Sequence, residues 1–416
     1  MQRRPHLLPA ETAVPEELRR RITNDFERFA TTGLPRPLEN YLLESYGLDV
    51  QSTYAGLPIR NPWGKASGQL SMTLAQVEED VAARLGFIVL KTLIAEDQTG
   101  SRTMAAWAIP EARMVVEKIT GQSGESGWTV TWKGRGWWQS LDAYLALVRQ
   151  ATALGKESGT LVVPSCKYHL PSPGETAWRT SEYEYTTQRL CEAAPEDPLP
   201  IEKDFSPTLA GSELAKQQAQ IRLWLEKVPG LIRAAAAPHR VRIGLKLFNA
   251  LFDDSFQVEM LTQVHASATS RPDYLIYGNR LIDPERSFDG KQGIAYGGPD
   301  LSDRNLRVLD QFRENLQTHK VAGPLLEISG TGNIHSGRMA LEYALRGCTN
   351  FQMHTLFQLP QNEYFLRAGS RTEKALHLLY FHPADGFVVW MHHLARLYPL
   401  RDAEGVIRFS RLRSVT

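Results

Sequence analysis

The chain has 416 residues, with 47 Lys and Arg against 46 Asp and Glu, and its formal net charge at pH 7 is +1. This balance argues against a nucleic-acid-binding protein, because such proteins usually carry a basic surplus that pairs with phosphates. Hydrophobic residues at 42% and charged residues at 22% are globular values, which argue against a largely disordered chain.

The cysteines and the first residues predict a cytoplasmic protein. The three cysteines are Cys166, Cys191 and Cys348; none forms a Cys-x-x-Cys pair, so no disulfide framework is expected. An Arg-Arg pair near the start is followed by Pro9 and Pro15 instead of an unbroken apolar stretch, so no export signal is predicted. The purest apolar runs are about five residues long, whereas a membrane span needs roughly 20.

Residues 1–51 are predicted to form a helical N-terminal extension. Its helix begins near Pro15 and spaces Leu18, Ile22, Phe26 and Phe29 at helical intervals. The charges on this helix are mixed, not basic, which favours docking on the protein itself over contact with a membrane.

Residues 52–360 alternate short apolar runs with helical patterns, as parallel βαβ units do. Strands are predicted at 64–67, 86–92, 160–165, about 200–205, 241–247, 274–278, 325–330 and 350–355. Helices are predicted at 74–84, 141–154, 212–235, 254–266, 302–317 and 336–346. Eight strands with crossovers predict the α/β class and a (β/α)8 TIM barrel, with a C-terminal helix and tail at 361–416 completing it.

Two long segments interrupt this alternation. Residues 94–140 contain five tryptophans, and residues 164–200 are rich in Pro, Glu and Tyr. In a barrel both segments leave the carboxyl ends of strands, where active sites are built and long loops act as lids. The tryptophans can form a hydrophobic plug under a loop or a wall of the substrate site, and the sequence favours neither.

The segment from Gly330 to Gly337 follows an apolar strand and opens a helix. Backbone N–H groups and the helix dipole converge at such a junction, which makes it a candidate phosphate site. The glycine spacing is not that of a dinucleotide-binding fold, and such turns are often only structural. Its place after the seventh strand supports phosphate binding, and His354 and Thr355 at the end of the eighth strand would complete the site.

Lys91 and Lys246 each end an apolar strand, so each ammonium group is expected near the barrel mouth. A lysine in this position often only reaches for water, but two of them beside a phosphate site suit an electron-rich cofactor ring or a carboxylate. The histidines show no metal-binding spacing, and no metal site is predicted. The chain also lacks Gly-x-Ser-x-Gly and Walker A motifs, which removes the commonest hydrolase and nucleotidase interpretations.

An ordered set of motifs resembles the dihydroorotate dehydrogenases, most closely their soluble, cytosolic, homodimeric branch. The resemblance covers about residues 52–360. The motifs are Asn61-Pro-Trp-Gly-Lys-Ala-Ser-Gly68 with Met72-Thr73, Lys91-Thr92, Ile282-Asp-Pro-Glu285, Tyr296-Gly-Gly298, Ser329-Gly-Thr-Gly332 and Gly347-Cys-Thr-Asn-Phe-Gln352.

The resemblance implies FMN at the carboxyl-terminal mouth of the barrel. It places the flavin ring along Ala66, Ser67 and Gly68, with Lys91 and Thr92 beside flavin and substrate and Lys246 at the pyrimidine edge of the ring. Positive charge there would stabilise the reduced, anionic flavin. It further implies a role in binding the FMN phosphate and ribityl chain for Gly297, Gly298, Gly330, Thr331, Gly332, Asn333, His354 and Thr355. Asn279 matches an asparagine that holds the substrate.

The departures from the family concern the substrate site. The segment from Lys203 to Thr208 keeps Ser206 at the place of the general base, but Lys203 or Asp204 replaces a substrate asparagine. Trp132 begins the counterpart of a second asparagine-bearing loop. Asn333 and His354 stand where phosphate-site glycines are expected. Ser206 needs an activating neighbour to act as a base, and Asp204, Lys203 and Cys166 are the next candidates.

These residues predict an FMN-dependent oxidoreductase in which Ser206 and Lys91 are catalytic and Asn279, Trp132, Lys203 and Asp204 contact the substrate. Hydride would pass between flavin N5 and a carbon-carbon bond next to a carbonyl. Loss of the substrate asparagines predicts a small molecule other than dihydroorotate, larger and compatible with aromatic residues, because unpaired buried polar groups weaken recognition. The alternatives are a genuine dihydroorotate dehydrogenase and a barrel that has lost turnover and only binds. No nucleic-acid or membrane partner is predicted. The resemblance implies a homodimer.

Overall fold

The computed structural model describes residues 6–110, 114–132, 136–194, 197–205, 217–267, 270–288, 290–318 and 324–415. Over these residues the chain has a mixed α/β fold, in which a curled, all-parallel sheet is surrounded by helices. None of the described helices combines the length and the apolar character that crossing a bilayer requires.

The described helices are α1 (Glu16–Thr32), α2 (Leu38–Tyr46), α3 (Leu74–Ala82), α4 (Leu141–Ser158), α5 (Thr180–Ala193), α6 (Gln218–Ala236), α7 (Asp254–Ala266), α8 (Pro299–Thr318), α9 (Gly337–Ala344), α10 (Arg371–Phe381), α11 (Phe387–Leu397) and α12 (Leu412–Val415). The described strands are β1 (Leu48–Asp49), β2 (Ser52–Tyr54), β3 (Leu57–Ile59), β4 (Trp63–Lys65), β5 (Phe87–Val89), β6 (Leu93–Ile94), β7 (Met114–Thr120), β8 (Ser126–Trp132), β9 (Leu161–Val163), β10 (Ser165–Lys167), β11 (Leu199–Asp204), β12 (Val241–Phe248), β13 (Tyr274–Asn279), β14 (Leu281–Phe288), β15 (Lys291–Tyr296), β16 (Glu327–Thr331), β17 (Cys348–Met353) and β18 (Ile407–Arg408).

The large sheet follows the predicted alternation of strands and helices. Its strands are hydrogen-bonded in the order β6, β10, β11, β12, β13, β16, β17, β4, β5 and β9. The predicted strands at 86–92 and 160–165 are each present as two pieces, β5 with β6 and β9 with β10. Pro164 separates the second pair, because proline has no N–H to give to a sheet. The alternation of the α/β class is confirmed.

The two long segments contain regular structure that the sequence did not predict. Residues 94–140 include the antiparallel hairpin β7–β8, and residues 164–200 include the helix α5. A second hairpin, β14–β15, follows β13. The pairs β7–β8 and β14–β15 lie against each other at one end of the sheet, and we refer to these two hairpins as the lid.

The N-terminal extension docks on the C-terminal helices, as its mixed charges predicted. Phe26 of α1 stacks on His377 of α10 with ring centroids 4.4 Å apart, and His377 Nε2 lies 2.9 Å from the Phe26 carbonyl oxygen. The sequence predicted one helix and a tail at 361–416. The described residues there form three helices instead, α10, α11 and the short α12. Both long helices pack in the main hydrophobic core.

The end of the sheet opposite the lid is closed by the hairpin β2–β3. Its Tyr54 packs on Phe87 and Tyr274, with ring centroids 4.3 and 5.0 Å away. Gly64 and Gly244 make room for these rings, because a Cβ at either position would lie 2.2 Å from the ring of Phe87 or Tyr274. This aromatic layer fills the amino-terminal end of the sheet among the described residues.

Candidate active site

A cavity of about 490 Å³ lies at the carboxyl ends of the parallel strands, beneath the lid. Ligand sites in α/β folds form at this end, and the volume is in the range of small-molecule pockets. The structure brings many of the predicted site residues together in its wall. These are Ala66, Ser67, Lys91, Thr92, Asp204, Lys246, Asn279, Gly297, Gly298, Thr331, Gly332, Asn333, His354 and Thr355.

Other predicted site residues lie away from this wall. Gly330 faces α9, where a Cβ would be 3.1 Å from Tyr343. Gly68 lies behind His354, and a Cβ there would be 2.4 Å from the imidazole ring, so the close approach requires glycine. Ser206 lies outside the described residues. Trp132 is described only through its backbone at the end of β8, where it pairs with Met114.

Lys203 is on the opposite face of β11 from the cavity, so it does not join Asp204 in the cavity wall. Side chains alternate along a strand, and Glu202 and Asp204 point inward while Lys203 points out. Its ammonium donates to the Asp204 carbonyl oxygen at 3.1 Å and lies 4.7 Å from the ring centre of Phe205. Burial, with Lys167 as a second cause, lowers the pKa of Lys203 to about 7.

Buried lysines dominate the inner part of the cavity. Lys91, Lys167 and Lys246 are 3%, 1% and 4% exposed. Lys167 Nζ lies 2.5 Å from Asp204 Oδ2. Lys246 Nζ lies 3.1 Å from Glu202 Oε1. Each carboxylate therefore faces an ammonium group, as buried charges require.

The surroundings of Lys91 favour the neutral form of its side chain. Burial, the largest cause, together with the neighbouring ammonium groups of Lys167 and Lys246 lowers its pKa to about 7, against the opposing effect of Asp204. A lysine with a pKa near 7 can hold or release a proton at neutral pH. Lys91 is thus suited to both ligand binding and proton transfer.

Polar residues form the floor beneath the lysines. Gln352 Nε2 donates to Glu202 Oε2 at 2.8 Å and lies 3.2 Å from the Tyr54 hydroxyl. Thr92 Oγ1 lies 2.7 Å from Ser67 Oγ and 3.3 Å from Asp204 Oδ2. This network fixes the inward-pointing carboxylates, so their positions do not depend on a ligand.

Arg280 ties the lid together above the cavity. Its guanidinium donates to the carbonyl oxygens of Val130 in β8 and of Ala295 in β15, the latter at 2.8 Å. Gly297 N also donates to Thr129 Oγ1 at 2.9 Å. Burial lowers the pKa of Arg280 to about 9. The side chain therefore contributes both a structural bridge and positive charge to the cavity wall.

The predicted phosphate segment keeps a glycine-like backbone. Gly332 has a φ of +112°, and a Cβ there would be 2.7 Å from Asn305 Nδ2. Asn333 has a φ of +53°, which asparagine tolerates better than most residues, and its Nδ2 donates to Ser302 Oγ at 2.9 Å. Asn333 thus holds the left-handed turn before α9.

His354 stays neutral in this site. Both of its ring nitrogens are shielded from solvent. Burial of the ring, followed by the charges of Arg280, Lys91, Lys65 and Lys246, lowers its pKa to about 3. A neutral imidazole can donate from one ring nitrogen and accept at the other, so His354 adds polar capacity without charge.

The residues proposed as general base differ in their distance from the cavity. Asp204 lines the cavity. Cys166 is buried beside Lys203 and Tyr168, does not line the cavity, and burial raises the pKa of its thiol to about 12. Of the described candidates, Asp204 is therefore the one that can reach a ligand.

Sequence reasoning missed several residues of the cavity. Lys167 ends β10, which is separated from the apolar run of β9 by Pro164. Because of this interruption, the sequence did not identify Lys167 as the end of a strand. Arg280 follows Asn279 directly, but nothing in the sequence indicated that two hairpins meet there. Trp128, a predicted plug or substrate wall, lines the cavity, and Lys118 lies 5.1 Å from its ring centre. Neither a known family model nor a curated protein matches the chain.

Proposed function

We propose that this chain is an FMN-dependent oxidoreductase of the dihydroorotate dehydrogenase-like type, acting on a substrate other than dihydroorotate. The observation that carries the proposal is the excess of cationic side chains in the cavity. Of the described residues in its wall, five are cationic: Lys91, Lys118, Lys167, Lys246 and Arg280. Two are carboxylates: Asp204 and Glu363.

A closed eight-stranded barrel is part of this proposal. The sheet order begins with the pair β6–β10 and ends with the pair β5–β9. If β5 and β6 are two pieces of one strand, and β9 and β10 two pieces of the next, both pairs join the same two strands. Counting β5–β6 and β9–β10 as one strand each gives eight strands in a ring. This count supports a TIM barrel, in which active sites lie at the carboxyl ends of the strands.

The residues present suit FMN. Phosphate would be held near Gly332, Asn333 and Thr355, and the ring near Ala66, Ser67 and Lys246. Gly298 has a φ of +89°, and a Cβ there would be 2.6 Å from Ile119, so glycine keeps the backbone close to the cavity. The cation excess matches a cofactor that carries a phosphate and becomes anionic on reduction. When bound, FMN supplies hydride chemistry at a carbon next to a carbonyl.

Side chains of the protein would accept or donate the proton that is transferred during the reaction. Lys91, with a pKa near 7, can hold or release one at neutral pH. Asp204 presents a carboxylate, and Lys167 orients it at 2.5 Å. Ser206 keeps the family's base position in the sequence.

The altered polar groups support a changed substrate. Where the family presents neutral asparagine amides, the described wall presents the ion pair of Lys167 and Asp204, next to Asn279. Charged groups pair poorly with the amide pattern of dihydroorotate and leave polar groups unpaired. Trp128 adds an aromatic surface at the lid side. The resemblance also carries the expectation of a cytoplasmic homodimer.

Anaerobic absorbance spectroscopy of the FMN-loaded protein tests the proposal. Dihydroorotate at high concentration is expected to leave the flavin oxidised, whereas an active substrate with a carbonyl-activated carbon-carbon bond bleaches it. Rapid bleaching by dihydroorotate would favour the genuine dihydroorotate dehydrogenase. Failure of the protein to take up FMN would contradict both enzymatic functions, with or without dihydroorotate as substrate. The remaining hypothesis would be a barrel that has lost turnover and only binds.

A further inference from the structure

Three metal-binding side chains meet outside the cavity. His6 comes from the segment before α1, Glu125 from the turn between β7 and β8, and Asp303 from α8. Each offers one ligand atom, and the three atoms lie within 4.8 Å of one another.

Two of these atoms are buried with no hydrogen bond. His6 Nε2 and Asp303 Oδ1 are shielded from solvent and lie 3.8 Å apart, which is too long for a hydrogen bond. Their side chains are 12% and 13% exposed. Leaving such atoms unsatisfied is costly. A cation between the three ligand atoms would remove this cost.

A fixed carboxylate lies near the other nitrogen of the His6 ring. Glu342 Oε1 lies 3.9 Å from Nδ1, which is too long for a hydrogen bond. The Glu342 carboxylate accepts from the backbone N–H groups of Leu7 and Leu8 at 3.0 and 2.9 Å. It also pairs with Arg346, so it is fixed in place. Glu342 therefore holds the segment next to His6 in position and places a negative charge near Nδ1.

We propose that His6, Glu125 and Asp303 bind a divalent first-row transition metal, for which Zn²⁺ is the probe. One imidazole nitrogen and two carboxylate oxygens suit zinc, and water would complete the coordination. Tetrahedral ligands at about 2.1 Å from zinc lie about 3.4 Å apart. The three atoms, which lie within 4.8 Å of one another, thus need to move together by up to about 1.4 Å. The ligands are far apart in the sequence, which is why histidine spacing predicted no metal site.

The proposed metal would latch the lid. The turn that carries Glu125 already rests on α8, where Gln122 N donates to Asp300 Oδ1 at 2.7 Å. Glu125 directly precedes Ser126 and Gly127, which line the cavity. A metal bound at Glu125 would tie this strand of the lid to α8 and to the N-terminal segment. This site does not depend on FMN.

Isothermal titration of untagged, chelator-treated full-length protein with Zn²⁺ tests the site. One ion per chain is expected, and His6→Gln or Asp303→Asn should weaken binding at least about 100-fold. The matched control is His239→Gln, on an exposed histidine outside the cluster, which should leave the affinity unchanged. Hydrogen exchange at residues 121–127 should slow when Zn²⁺ is added to the wild type.

Equal zinc affinity in the wild type and in either cluster variant would overturn the proposal. X-ray absorption of the zinc-loaded wild type gives a test that needs no variant. A first shell of nitrogen and oxygen supports the site, and sulfur in that shell would place the ion at a cysteine and overturn it. No zinc binding to the wild type would also overturn it.

Discussion

Lys167 Nζ lies 2.5 Å from Asp204 Oδ2 in the wall of the cavity, and the two residues end the neighbouring strands β10 and β11. Both side chains point inward because side chains alternate along each strand. Asp204 is one of the two residues that the resemblance sets in place of a substrate asparagine, and its charge is paired with Lys167. This pair is the main reason to propose a different substrate.

Replacement of Ser206 tests the predicted base. Ser206→Ala should lower turnover by about 100-fold or more, because a general base typically contributes that much. FMN binding should remain, since the substitution removes only a hydroxyl group. Turnover and flavin content of the same preparation are the measurements. Full activity in Ser206→Ala together with loss in Asp204→Asn would transfer the role to Asp204.

Lys246 should matter for stability as well as for FMN. Lys246→Met leaves the buried Glu202 carboxylate without its ammonium partner, which should cost about 3–5 kcal/mol of unfolding free energy. The double variant Lys246→Met with Glu202→Gln should recover much of this loss, while FMN binding stays weak. Denaturant unfolding checks the first effect and flavin titration the second.

Lys118→Met is the matched control for that experiment. Lys118 also lines the cavity, but its side chain is 69% exposed and its pairing with Glu363 spans 3.6 Å. An exposed pair contributes about 0–1 kcal/mol, so stability should change little. Equal losses in Lys118→Met and Lys246→Met would contradict the buried ion pair as the cause.

Lys91 should make stability rise with pH above neutrality. Its pKa falls from the ordinary value of about 10.4 to about 7 on folding. Between these two values the unfolded chain binds a proton that the folded chain does not. The free energy of unfolding should therefore rise by up to ~1.4 kcal/mol per pH unit from this residue. The destabilisation is full below pH 7 and disappears above the unfolded pKa.

Denaturant unfolding of Lys91→Met at several pH values between 7 and 9 measures this contribution. The slope of unfolding free energy against pH should be smaller than in the wild type, and the variant should be more stable at pH 7. Lys156→Met, at an exposed position of α4, should keep the wild-type slope. The same slope in Lys91→Met and the wild type would contradict the lowered pKa.

Arg280 should control the lid. Arg280→Met removes the bonds to Val130 and Ala295, so amide hydrogen exchange in both hairpins should speed up and FMN should dissociate faster. Arg286→Met is the control, because Arg286 and Glu117 also join the hairpins at 2.8 Å but are 36% and 41% exposed. Identical exchange in both variants would contradict the bridging role.

The sequence predicted the order of strands and helices because hydrophobic periodicity is local. The helix of the N-terminal extension was expected from residue 15 and begins at Glu16, and the strand expected at 241–247 runs from Val241 to Phe248. The hairpins were missed because their strands, especially β14, are half exposed and polar and lack an apolar run. The α5 helix was missed because a proline-rich stretch precedes it.

The cavity was predictable where a residue ends a strand. Lys91 and Lys246 were expected near the barrel mouth by that rule, and both line the cavity. Lys203 does not line the cavity because a shift of one residue reverses the face of a strand, and the sequence left Lys203 and Asp204 as alternatives. Arg280 depends on contacts between distant segments, and such contacts leave no local pattern.

Titration of the purified, flavin-free protein with FMN, followed by flavin fluorescence and absorbance, tests whether the lysine-lined cavity binds flavin. Saturable binding of one FMN per chain is expected, with a perturbed flavin spectrum and clearly weaker binding in Lys246→Met. No uptake of FMN, or equal binding by the wild type and Lys246→Met, would contradict the claim that the lysine-lined cavity is a flavin site.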